Sequence, residues 1–172
     1  MIAGIFDELF GVPTHPLAVH APVVLIPIAA IAAIVFAVRP AWRARAWWVM
    51  LPVVLFNVVM LFVAKESGES LLNAEPGAVL LLGTQQAIAD HQSLGEATFI
   101  LALVWLLVTV ALAVRDRMSL RPAVQALSAD AGAVERDIVA TMLSVLTVGA
   151  AIVTTIWLIR TGHAGAESRW TI

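Results

Sequence analysis

At 172 residues the chain is about one domain long, and its net charge of −2 leaves no basic excess for a nucleic-acid groove. A composition 61% apolar and only 13% charged, with a mean hydropathy of +0.95, excludes an ordinary soluble globular domain. The lack of cysteine excludes disulfides, iron–sulfur ligation, thiolate zinc and c-type haem attachment, and the lack of tyrosine excludes a phenolic ligand.

Met1–Phe10 has no basic head and carries Asp7 and Glu8, so it does not read as a cleavable signal. Ile2, Ile5, Phe6, Leu9 and Phe10 recur at helical spacing, which suits either an interfacial helix within residues 1–12 or a short arm packed on the rest. A spanning helix needs about 20 predominantly apolar residues. Four stretches meet this: Leu17–Val38, Ala46–Ala64, Ala97–Val114 and Ile138–Ile159. The expected fold is all-α, a single integral membrane four-helix bundle over residues 1–172.

Between the spans, Lys65–Asn73 can extend the second helix until Pro76–Gly77 stops it, and Thr84–Ala97 can extend the third. Ala78–Gly83 is too short to span and reads as a cap or re-entrant turn; Pro122–Leu127 and Asp130–Asp137 read as helical pieces before the fourth span. Pro22, Pro27 and Pro52 are tolerated inside membrane helices.

Orientation follows the arginines. The first connection holds Arg39, Arg43 and Arg45, and the third holds Arg115, Arg117, Arg121 and Arg136. The second holds Lys65 against Glu66, Glu69, Glu75, Asp90 and Glu96. The positive-inside rule therefore predicts a multi-pass protein of a bacterial inner membrane with both termini outside and helices extended on that outer side. Trp42, Trp47 and Trp48 fit an inner aromatic belt and Trp157 an outer one.

This topology sets His15, His20, His91 and His163 on one side, each within a few residues of a helix end. Neutral imidazole is the commonest metal ligand and holds haem iron well, and bundle cofactor sites are built from facing helices. The expected site is a b-type haem, one or two in number, with His20 and His91 as the first pair and His15 and His163 as a second pair or support. His15 and His20 lie about 140° apart around a helix, so an unbroken helix cannot aim both at one metal. Gly95 beside His91, and Gly162 and Gly165 around His163, would give a porphyrin its clearance; Lys65 would either snorkel or neutralise a propionate. Taken singly, an interfacial histidine is more often a polar cap than a ligand; the set of four favours a site.

Asn57 is expected to bond a neighbouring helix, and Thr141, Ser144, Thr147, Thr154 and Thr155 their own backbone. No chain of acidic residues crosses the membrane as in a proton pump, and no span bears a voltage-sensor arginine ladder.

The stretch THPLAVHAPVVLIPIA at 14–29, the histidine before the third span and the closing TGHAGAESRW at 161–170 together resemble the domain-of-unknown-function 2231 family of small bacterial membrane proteins. That family opens with His-Pro, a few apolar residues and Val-His-Phe-Pro. Here Ala21 replaces the usual aromatic, and no Leu-Val-Tyr run follows the terminal glycines. Some members look fused to Rieske-type iron–sulfur domains, so the resemblance implies membrane electron transfer. The leading expectation is thus an electron-transfer protein rather than a stand-alone enzyme. It would exchange electrons with quinol or a periplasmic redox partner such as a Rieske or cytochrome c domain. It contacts lipid, is compatible with a homo-oligomer and has no role with nucleic acid. The competing readings are a copper- or zinc-binding membrane protein and a non-catalytic subunit of a larger complex.

Overall fold

A computed structural model of the chain describes residues 3–74, 85–126 and 138–170. Helix α1 (Ala3–Asp7) leads into a two-stranded hairpin, β1 (Glu8–Leu9) and β2 (Val12–Pro13), paired antiparallel with Glu8 opposite Pro13 and Leu9 opposite Val12. Four long helices follow: α2 (Thr14–Val38), α3 (Pro40–Ala74), α4 (Gln85–Ala126) and α5 (Ile138–Trp170). All four are long and apolar enough to cross a membrane.

These helices outrun the expected spans. Helix α3 begins at Pro40 instead of Ala46 and continues to Ala74, while α4 begins at Gln85 and runs unbroken to Ala126, taking up most of the piece expected at 122–127. Ala78–Gly83 and Asp130–Asp137 lie outside the described residues. Only Arg39 separates α2 from α3, and its carbonyl accepts the backbone N–H of Trp42 at 2.9 Å.

Around the bundle, α2 packs on α3 and α5, and α4 packs on the same two, so α2 and α4 face each other across a diagonal. The packing reverses that of a soluble bundle. Alanines fill the interior at 18, 29, 30, 33, 102, 140 and 151, whereas Val24, Ile28, Ile31, Leu107, Val145 and Ile159 point outward. Lipid tails are as apolar as these side chains, so burying them between helices gains little. Small residues that let backbones approach become the better interior.

The N-terminal arm packs against the bundle, chiefly on α3, and Ser70 donates a hydrogen bond to Asp7 Oδ1.

Candidate metal or cofactor site

The first turn of α2 and the second of α4 lie at the same end of the bundle, and each carries a histidine that turns inward. The rings of His15 and His91 meet edge to face, centroids 6.2 Å apart and planes at 85°. Both are partly buried.

Each imidazole is held by the helix next to it. His15 Nδ1 lies 2.7 Å from the carbonyl oxygen of Ala64 on α3, and His91 Nδ1 lies 2.9 Å from that of Thr161 on α5. A carbonyl only accepts, so each Nδ1 carries the proton, and in the neutral ring Nε2 is left with a lone pair. Glycine sits one turn beyond each acceptor. A Cβ at Gly68 would stand 3.1 Å from His15 Nδ1, and one at Gly165 only 2.8 Å from His91 Cε1. Each ring therefore lies over a patch of bare helix backbone.

The two halves match. In each, a histidine in the first two turns of the first helix of a hairpin meets the second helix, which supplies a carbonyl with a glycine four residues on: Ala64 and Gly68, Thr161 and Gly165. The hairpins α2–α3 and α4–α5 run in the same sense, so an approximate two-fold axis along the bundle passes between the imidazoles.

Hydroxyls back this pair. Ser67, 1% exposed, donates to the Ala64 carbonyl at 3.1 Å and lies 3.5 Å from His15 Nδ1. Below His91, the fully buried Thr98 brings its Oγ1 to 2.8 Å from that of Thr161.

The other expected site residues lie apart from this contact. His20, named first as the partner of His91, is exposed, and its Nδ1 turns back to the Pro16 carbonyl on its own helix. His163 is exposed and faces Glu167, Nε2 to Oε1 3.1 Å. Lys65 is shared by Glu69 at 2.7 Å and Glu66 at 3.4 Å, so two carboxylates already oppose its charge. A Cβ at Gly95 would make only ordinary contact with Thr161, and one at Gly162 would meet nothing within 4 Å. The glycine clearance at 165 is occupied by an imidazole.

Gly68, Ser67, Thr98 and Thr161 were missed from sequence. The signal was a small residue four positions before a glycine, Ala64-x-x-x-Gly68 and Thr161-x-x-x-Gly165, repeated at the outgoing ends of two helices.

Two neutral imidazoles can together hold one metal. No cluster of three or more histidine, aspartate or glutamate side chains that could hold a metal occurs among the described residues.

A family model described as predicted membrane protein, DUF2231, matches residues 11–172. No curated protein and no solved structure matches the chain.

Proposed function

Because the chain belongs to this family of predicted membrane proteins, whose description names no activity, we propose its function from the site: a bis-imidazole metal centre that carries electrons, in which His15 and His91 would hold a b-type haem. The observation that carries the reading is the pair of rings from diagonal helices, 6.2 Å apart and each tied through Nδ1 to a carbonyl. Donor number favours haem. A porphyrin supplies four nitrogens of its own and asks the protein for two, whereas structural zinc asks for four protein ligands and catalytic zinc for three. The Ala64 and Thr161 carbonyls fix tautomer and ring plane, and they raise the basicity of Nε2 toward a metal. When bound, haem iron supplies one-electron chemistry; the chain holds it, orients it and limits its contact with water. With the arginine-rich end in the cytoplasm, the site faces the periplasmic side, within reach of quinol and of a soluble redox partner.

A bare copper ion in its lower oxidation state is a second reading. It is favoured by the rings themselves filling the space at Gly68 and Gly165, since an ion needs no slot for a macrocycle.

Protein made with haem supply should show reduced-haem bands in the visible spectrum. H15A and H91A should each abolish them, while H20A and H163A keep them. A colourless preparation that haemin does not change, but that contains about one copper per chain by elemental analysis, moves the assignment to copper. A colourless, metal-free preparation ends both.

A further inference from the structure

The buried polar side chains below the histidines share one axis. On α4, His91, Thr98, Trp105, Thr109 and Asp116 follow at steps of seven, seven, four and seven residues, one face of a helix. On α5, Ser144, Thr147, Thr154 and Thr161 follow at three, seven and seven. Asn57 joins them from the inner face of α3, between Val54 and Leu61. Asn57 and Trp105 are 1% and 0% exposed. Most of the hydroxyls donate to the carbonyl four residues back: Thr109 to Trp105, Ser144 to Ala140, Thr147 to Leu143 and Thr154 to Ala150.

Two further features point to what lies between them. At the arginine end, a cavity of about 30 Å³ is walled by all four helices and includes Thr109, Asp116, Ser144 and Thr147. A water needs roughly 10–15 Å³ of this kind of space and two to four polar partners; the cavity has the room, and Thr109, Asp116, Ser144 and Thr147 are the polar groups in an otherwise apolar lining. Deeper in, Asn57 Oδ1 and Trp105 Nε1 have no hydrogen-bond partner among the described residues, although the Asn57 amide N–H donates to the Val53 carbonyl at 2.9 Å. One is an acceptor and the other a donor, and water satisfies both; bilayer hydrocarbon satisfies neither.

We propose that the bundle axis carries a hydrated polar file that admits water and protons from the arginine end, at Asp116, inward to Asn57 and Trp105. A proton moves along it by relay. Each water or hydroxyl oxygen takes one proton and releases its own to the next, with no net change in bonding. The file points at the Thr98–Thr161 hydroxyl pair beneath His91. Its use there, to bring positive charge toward a site that receives an electron, rests on the metal-centre reading; its hydration does not.

The chain has no cysteine, so single-cysteine variants report without background. T147C and T154C lie on the file, whereas V145C and I152C replace residues 66% and 42% exposed on the lipid side. The cysteine thiolate, which forms only where water reaches, attacks the sulfenyl sulfur of a water-soluble methanethiosulfonate reagent and expels methanesulfinate, so the file positions should label at least about tenfold faster than the lipid positions. Labelling should proceed when the reagent is added at the arginine end and not at the histidine end. In D₂O, the Trp105 indole N–H, identified by its loss in W105F, should exchange far faster than backbone amides of the same helix. File cysteines as slow as V145C, labelling from the histidine end alone, or an indole as protected as those amides would each overturn the proposal. None of these readouts depends on a bound metal, so a colourless preparation with a hydrated axis sinks the cytochrome and keeps the file.

Discussion

Gly162 and Gly165 lie three positions apart on α5 and carry opposite expectations. Alanine at either gains up to about 1 kcal/mol of helix propensity. At Gly162 nothing lies within 4 Å of the new Cβ, so that gain stands. At Gly165 the Cβ would meet His91 at 2.8 Å and 3.0 Å, and the ring must lift away from the Thr161 carbonyl. Overpacking costs about 1–3 kcal/mol and the lost hydrogen bond about 0.5–1.5, which together outweigh the propensity gain. G165A should therefore melt lower than wild type in detergent by roughly 1–3 kcal/mol of stability, and G162A should melt level or higher. G68A, at 3.1 Å from His15, should fall between them. Equal melting of G165A and G162A would mean that no imidazole rests on the α5 backbone.

The hairpin before α2 turns through Phe10 at φ 57° and Gly11 at φ 75°. Two left-handed residues in a two-residue turn suit Asn-Gly, and a bulky residue in the first place costs about 1 kcal/mol or more. Phe10 is 94% exposed and gives up no internal packing when replaced. F10N should therefore tighten the turn and slow amide exchange at Val12 about fivefold. Unchanged exchange in detergent, with faster exchange in lipid bilayers, would instead mark Phe10 as a ring seated among headgroups. At this scale the sequence was informative about spans and depth. An apolar run of spanning length has few alternatives, and proline-free flanks such as Thr84–Ala97 have strong helical propensity. Rotation was harder to read, because helices apolar all round present no polar face to choose by. The 140° between His15 and His20 did establish that one of them points away. Which one depends on where α3 offers a bare carbonyl, a property of packing that spacing within α2 does not contain. Asn57 was misjudged for a related reason: its amide bonds Val53 on its own helix, so the expected interhelical bond is not made by its N–H. The seven-residue spacing of Thr147, Thr154 and Thr161 was in plain view, but only the first two were considered, each singly as a backbone partner. The expected back-bonding is made by Ser144, Thr147, Thr154 and Thr155, and the shared face went unused.

At the scale of the whole molecule, two like-oriented hairpins pack around an apolar core that also holds a few hydroxyls, and the two ends of the bundle differ in charge. One end gathers arginines against indoles: Arg117 lies 3.7 Å from the Trp47 ring centre and Arg39 5.6 Å from that of Trp42. At the other, Lys65 is balanced by Glu66 and Glu69, and Arg160 covers Trp157 at 4.9 Å. Each arginine near an anionic cytoplasmic leaflet contributes about 1 kcal/mol, so the cluster across the α2–α3 and α4–α5 connections favours one orientation by several kcal/mol. Alkaline phosphatase fused after Ile172 should then be active and green fluorescent protein dark. The reverse should hold for insertions in the third connection, at residues 127–137. Changing Arg39, Arg43 and Arg45 to glutamine should erode this preference without removing it, because Arg115 and Arg117 still anchor the other hairpin. A fluorescent C-terminal fusion would turn the molecule over. The histidine pair would then face the cytosol, and the proposed redox partner and proton source would each move to the opposite side of the membrane.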